Sequence, residues 1–484
     1  MNLESASESR TSQRADFLAD SGHVAREQLR GRDVAERDSL RLCRLLCGAS
    51  LVLLGVTRAI WGSYNPLPSI PWFAPGTLVP RWLDWLLLSG LLLCLVSNLL
   101  LPTAALPTRR RWLLLTLAWG AVMLLDQNRA QPWTWEFWLI ASASAALPAV
   151  QSRRVIQGLI ISIYFYSAVS KIDAEFLYGL GPLLASGLCK PFGLDLLHWT
   201  PLSQQVAAAM LPAGELLIAA LLCTRRWRSW GSYGSLAMHG GLILALGPCG
   251  LNHEWGVLCW NVYFIAQNLL LFRQDDAAID RGASDVVSVR PQASSGVPHD
   301  SPNRAEFHRD ALRQQEFGRS DATPASQRCN TSPWSVTATC VLAVITLYPA
   351  LEWFGWCDPW PAWAVYSHRP IHVRPLVHLD AVHQFPESIR RWIGPPEPLT
   401  DWCPLPLDSV SFSETHTPLY PEGHYRAALF VALADHAGVA SEHLMLHVNF
   451  PPQRWTRARS ETTLRGREEI LGWSAERWAN VRAR

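Results

Sequence analysis

The sequence predicts an all-α polytopic membrane bundle, about eight transmembrane helices plus a ninth, with a small α+β extracytoplasmic domain at the C-terminal end. Three observations predict it. Of 484 residues, 49% are apolar and only 17% charged, whereas an average soluble chain is about 25% charged. The apolar residues gather into runs of about 15–22, near the roughly 20 that a helix needs to cross a bilayer. Arginines crowd into alternate connections between those runs, as on cytoplasmic loops. Mean hydropathy is only +0.07 because about half of the chain, roughly 1–41, 273–333 and 356–484, is polar. A single soluble globule is excluded. So is a nucleic-acid binder, because the net charge is +2 and the basic residues sit in short clusters between apolar runs. Eleven cysteines in this length exclude a disulfide-dense secreted domain.

Residues 1–41 are polar and carry Arg10, Arg14, Arg26, Arg30, Arg32, Arg37 and Arg41. They read as a cytoplasmic segment, with the first apolar run as a signal anchor. Spans are expected at 42–62, 82–101, 111–126, 133–150, 155–172, 203–223, 232–248 and 254–272, together an eight-helix membrane domain over 42–272. The connections after the second, fourth, sixth and eighth spans hold Arg109–Arg111, Arg153–Arg154, Arg225–Arg228 and eight arginines beyond 272; the others hold almost none. This places the N-terminus inside and the last 130 or so residues outside. Aromatic belts agree: Trp61, Tyr64, Trp72 and Phe73 at the outer end of span one, Trp133, Trp135 and Trp138 opening span four, and Trp353, Trp356, Trp360 and Trp363 beyond span nine.

Residues 273–333 lack an apolar period and read as a disordered cytoplasmic linker. The ninth span follows at 334–355. The outer domain, 356–484, is expected to hold strands at 371–379, 406–412 and 442–450 and helices at 385–393, 423–436 and 466–480. His368, His372, His378, His383 and His416 are scattered, so no metal is assigned. Cys189, Cys249, Cys357 and Cys403 fall on the expected outer side, where disulfides are permitted. Four cysteines allow three pairings, which the sequence leaves open.

The residues that point to chemistry begin with lysine. Only Lys171 and Lys190 are lysine among 42 basic residues. A drift to arginine suits any site that needs only charge; a lysine that escapes it is a candidate for a group needed as an amine. Lys171 closes span five, partly out of water, where a desolvated amine serves as a general base. The competing reading is a side chain that snorkels to the surface.

The stretch Tyr164-Phe165-Tyr166-Ser167-Ala168-Val169-Ser170-Lys171-Ile172-Asp173-Ala174-Glu175-Phe176 resembles the lysine motif of vitamin K-dependent γ-glutamyl carboxylases and of the wider HTTM membrane family that shares their helical bundle. The resemblance covers about residues 40–272. Ser170 stands where the carboxylases usually carry a second lysine, and Phe176 where they carry Trp. The resemblance implies that Lys171 is the base that deprotonates a reduced quinone, with Asp173 beside it as a second catalytic residue. It implies a quinol-dependent carboxylase, lyase-like or redox activity. It also implies a multi-pass protein of the bacterial inner (cytoplasmic) membrane.

Two further clusters stand out. Asp126-Gln127-Asn128-Arg129-Ala130-Gln131-Pro132-Trp133 lies on the same expected face as Lys171, and a similar turn occurs in bacterial HTTM-like proteins. Asp126, Gln127, Arg129 and Trp133, with Tyr166, are candidate substrate-binding residues; the alternative for the turn is an interfacial salt bridge. Glu215, about 18 Å in from the outer face, and His239, about 10 Å in from the inner face, fall at nearly the same depth of a roughly 30 Å core on antiparallel neighbouring spans, and an intramembrane acid needs a partner or a cavity. They are a candidate intramembrane polar pair, either helix-to-helix glue or a proton relay.

The functional expectation is therefore a membrane bundle that binds a quinol-like or other lipid-soluble molecule at its outer face, with Lys171 as base. The alternative is a non-catalytic scaffold or assembly factor whose outer domain binds a periplasmic protein partner. No nucleic acid is expected in either case.

Overall fold

The computed structural model describes residues 33–61, 67–102, 106–272, 335–367 and 370–483. The linker expected over 273–333, residues 1–32, Tyr64, Cys329 and His368 lie outside the described residues.

Helices occupy the apolar runs: α1 Asp33–Val56, α2 Arg81–Leu100, α3 Thr108–Leu124, α4 Pro132–Ala146, α5 Ala149–Val169, α8 Pro201–Cys223, α9 Arg228–Leu246, α10 Trp255–Leu271 and α11 Val336–Leu347, the last extended by a 3-10 segment to Phe354. Proline marks many of their starts. Pro80, Pro107 and Pro148 precede α2, α3 and α5, and Pro132 and Pro201 open α4 and α8. A first-turn proline has no amide that the helix would use. Thr200 caps α8 by accepting from the Ser203 amide at 3.3 Å.

Among the described residues, four helices are long and apolar enough to cross a membrane: Asp33–Val56, Arg81–Leu100, Pro201–Cys223 and Val336–Phe354. α10 is apolar but shorter. The others are broken by charge or are short: α3 opens on three arginines, α5 carries Arg153 and Arg154, and α4 has 15 residues with Glu136 among them.

The expected outer loop between spans five and six holds two more helices, α6 Ala174–Tyr178 and α7 Leu180–Cys189. α7 packs on α8 and α9. Gly187 makes this possible, since a Cβ there would stand 2.8 Å from the Ala245 carbonyl oxygen of α9.

The C-terminal portion is a four-stranded antiparallel sheet, ordered β2-β1-β3-β4, from β1 His372–His378, β2 Trp402–Pro404, β3 Leu444–Asn449 and β4 Glu461–Arg465. Leu376 sits between Pro404 and Met445. Helix α12 is Glu387–Arg390, α13 Leu407–Thr415, α14 Gly423–Ala437 and α15 Gly466–Ser474. α14 lies on β1 and β3 and ends at left-handed Gly438.

Four expectations here need correction. Residues 406–412 are not a strand: Leu407, Val410 and Ser411 are buried at helical spacing, and these residues form α13. The strand is β2, just upstream. The helix expected over 385–393 is one turn, and that over 466–480 stops at Ser474. The boundary expected at 355/356 is no break in packing, because Leu67, Ile70, Trp72, Met123 and Ala130 share one apolar core with the C-terminal sheet and helices.

Candidate functional site

A cavity of about 300 Å³ lies between the helices and the C-terminal portion. Its floor comes from α5, α8, α9 and α10. Its roof comes from Trp360, Trp363 and Tyr366 and from the segment that runs from Phe412 to Leu419. The walls are mostly apolar, with Ile163, Leu211, Leu242 and Phe264 among them. Polar side chains converge on one region of the floor.

Lys171 is one of them. α5 ends at Ser170, and Lys171 follows in the turn to α6, 5% exposed. Its Nζ donates to Ser167 Oγ at 2.7 Å and to Glu215 Oε1 and Oε2 at 2.7 and 2.9 Å. All three N–H groups are thereby matched to protein acceptors. Glu215 sits three residues after Pro212 in α8, where proline leaves the Ala208 carbonyl without its helical donor.

Beside this pair is a hydrogen-bonded chain. Asn261 Nδ2 donates to the Val257 carbonyl, so its Oδ1 faces His239 Nδ1 at 2.7 Å and takes that proton. His239 Nε2 then accepts from the Tyr164 hydroxyl at 2.7 Å. Asn268 Nδ2 donates to both Tyr164 Oη and Ser235 Oγ. Tyr164, Ser167 and Lys171, spaced three and four residues apart, place both polar groups on one face of α5.

Glu215 and His239 therefore do not pair with each other, although both line the cavity. Matching depth fixes height along two helices but not which face each residue occupies. Glu215 turns to the end of α5, and His239 to Tyr164 and α10. Lys171 is in an ion pair with Glu215.

The Asp126–Trp133 cluster divides. Trp133 and Gln131 line the cavity; Asp126, Gln127 and Arg129 do not. Asp126 caps the next turn through the Asn128 amide. Arg129 holds Asp84 with two bonds of 2.6 and 2.8 Å, both residues being buried. Gln127 donates to the carbonyls of Pro71 and Asn480 and accepts from Arg477, and Asn128 Oδ1 accepts from the Tyr420 amide. This turn clamps the C-terminal portion and does not face the cavity.

The rest of the motif is structural. Asp173 caps α6 by accepting from the Phe176 amide at 2.7 Å, and it does not line the cavity. Glu175 pairs with Arg457 and Arg459. Phe176 is fully buried and forms cavity wall. Tyr166 donates to the Thr346 carbonyl of α11, away from the cavity. Cys189, Cys249, Cys357 and Cys403 are all free thiols, so none of the three possible pairings is formed among them. Cys403 is buried on β2, and the Cys357 thiol donates to the Asp358 carbonyl. Burial pushes the Cys357 thiol up to about 12.

Sequence reasoning missed Glu136, Tyr164, Asn261 and Trp260. Trp260 lines the cavity, and its indole N–H donates to Glu136 Oε2 at 2.7 Å; Gln267 fills Oε1 at 2.8 Å. The signal was a lone acid inside the Trp-rich start of α4. In the roof, burial pushes the Tyr366 hydroxyl up to about 12. Burial also lowers His253, at the cavity edge, against the opposing pull of Glu254. Among the described residues no group of three or more His, Cys, Asp or Glu side chains is placed to hold a metal ion.

The chain matches no family model, no curated protein and no solved structure.

Proposed function

We propose that the protein is a multi-pass membrane enzyme with an HTTM-like, carboxylase-related bundle that binds a reduced quinone or similar ring-bearing lipid. In this reading α1 to α5, α8 to α10 and α11 cross the bacterial inner membrane, with the N-terminus cytoplasmic and the C-terminal portion extracytoplasmic. The arginine-rich alternate connections support that topology.

The observation that carries the reading is the Lys171–Glu215 pair on the wall of an apolar cavity. The residues suit such a ligand. The cavity is at the small end of the volumes that take small molecules, its walls include the ring side chains Trp133, Phe264, Trp360 and Trp363, and Tyr164, Lys171, Glu215 and His239 bring polar groups to its floor. A reduced quinone supplies an acidic ring hydroxyl and two electrons. Lys171 and Glu215 act as one acid–base unit: Lys171 Nζ passes a proton to the Glu215 carboxylate, the free amine takes the ring-hydroxyl proton, and the ammonium so re-formed stands beside the phenolate oxygen. Water is excluded by the aromatic roof, which strengthens that interaction. Asp173 has no part in the chemistry beyond fixing the turn that presents Lys171.

A second reading, the non-catalytic scaffold, is favoured by one observation: every Lys171 donor is satisfied inside the protein. The two readings separate on quinol turnover by the purified full chain. Lys171→Arg keeps the charge but not the amine. Loss of turnover in that variant, with quinol still bound, supports the enzyme; absence of turnover and of binding in wild type leaves the scaffold.

A further inference from the structure

A second hollow lies against the cavity. Between α1 and α2 runs a groove of about 1130 Å³, walled by Leu54 and Val56 on one side and by Leu88 and Leu92 on the other. Both helices are among the four long and apolar enough to cross a membrane. The groove's charged groups, Arg58, Glu254 and Glu414, lie outside these two helices, in the turn after α1, the turn before α10 and α13. His253, Glu254 and His416 line both hollows, so one thin wall divides them. His416 Nδ1 lies 3.7 Å from Glu254 Oε2 and joins the C-terminal portion to the turn between α9 and α10. The two side chains are 64% and 31% exposed, so they can swing without unpacking a core.

Backbone strain collects here too. Asn252, Trp363, Tyr366 and His416 hold φ of 54°, 61°, 64° and 53°, a left-handed conformation that non-glycine residues rarely adopt. Each lines one or both hollows. Strain of this kind persists where surrounding structure imposes it, commonly at ligand clamps.

We infer that the groove between α1 and α2 is the lateral entrance and tail site of the cavity, holding the prenyl-type hydrocarbon chain of the ligand whose ring occupies the cavity. The inference rests on the cavity reading proposed above. It commits to a tail because the groove is several times larger than the cavity, is apolar between its helices and borders the cavity directly. The chain passes the wall at His253, Glu254 and His416.

The test uses the full chain in lipid nanodiscs and two probes, a tetraprenyl naphthoquinol and its tail-free 2-methyl parent. Gly55 borders the groove, and a Cβ there meets nothing within 4 Å, so Gly55→Trp adds its bulk to the groove from a position with room for the first carbon. Leu92→Trp fills it from the facing wall. Wild type is expected to bind the prenylated probe about tenfold or more tighter than the parent, because each buried methylene adds affinity. Each variant is expected to remove most of that advantage while parent binding stays within about twofold. Equal affinity of wild type for the two probes, or prenylated binding undiminished in both variants, overturns the tail site and leaves the cavity reading intact. Failure of wild type to bind either probe overturns the cavity reading and the tail site with it. A diazirine at the chain end supports the assignment if it labels peptides of α1 or α2, and overturns it if it labels only others.

Discussion

Two buried ion pairs look alike by burial and differ in what lies beside them. Arg129–Asp84 is fully buried: two parallel bonds join the side chains, and Arg129 also donates to the carbonyls of Ile60 and Val122. Lys171–Glu215 is almost as buried but faces a cavity. The first pair lines neither the cavity nor the groove; the second borders about 300 Å³ of space. Burial of charge does not by itself mark a site. Charge next to enclosed volume does.

The comparison breaks most readily at the closed pair. Arg129→Met leaves Asp84 buried without its cation and is expected to cost about 3–5 kcal/mol, seen as a lower thermal midpoint in detergent. Adding Asp84→Leu recovers only part, since the Ile60 and Val122 carbonyls still lack a donor, a remaining cost of about 1–3 kcal/mol. The double variant Lys171→Met/Glu215→Leu is expected to be nearly neutral in the same assay, because replacing both members of a buried pair with apolar groups often is. It nonetheless loses quinol binding. A double variant at 171 and 215 that binds quinol as wild type does would erase the distinction between the pairs.

Next in size is the clamp. Arg477 bonds Asp358 and Gln127 and lies against the rings of Trp72, Tyr420 and Trp478. Burial lowers its tendency to stay charged, but Asp358 and Glu422 outweigh that and hold it above the ordinary arginine value. Arg477→Met is expected to cost about 2–3 kcal/mol through its charged hydrogen bonds. Faster proteolysis between residues 360 and 484, with α1 to α10 still protected, is the matching readout.

Much of this was legible in the sequence. Hydropathy windows located α1 to α5, α8 to α10 and α11, because apolar runs of that length have few other uses. α7 was missed since its ten residues are too few to span and hold Pro182, with Pro191 just beyond their end. β4 was missed because Glu461–Arg465 is an edge strand with Leu464 alone turned inward. At the site, the lysine count and its motif found Lys171, and depth found Glu215 and His239. Their partners stayed hidden, since which faces of α5, α8 and α9 meet is decided by packing that no local pattern encodes.

The smallest expected effect sharpens the role of the motif's second acid. Partial burial raises the Glu175 carboxyl, but Arg457 and Arg459 outweigh it and hold it below the ordinary value. A carboxyl lowered in the folded state adds stability above its unfolded value of about 4.3, and loses it as pH falls further. Glu175→Gln is expected to flatten that acid limb, by no more than about 1 kcal/mol for so exposed a pair, in melts between about pH 3 and 6.

The central claim, that the Lys171–Glu215 pair fronts a ligand cavity, is tested most directly by mass spectrometry of neutral lipids retained on the purified full chain. Wild type and the Arg129→Met/Asp84→Leu variant are expected to retain a quinone-class lipid, and Lys171→Met/Glu215→Leu to lose it. The same lipid complement on all three proteins would contradict the account.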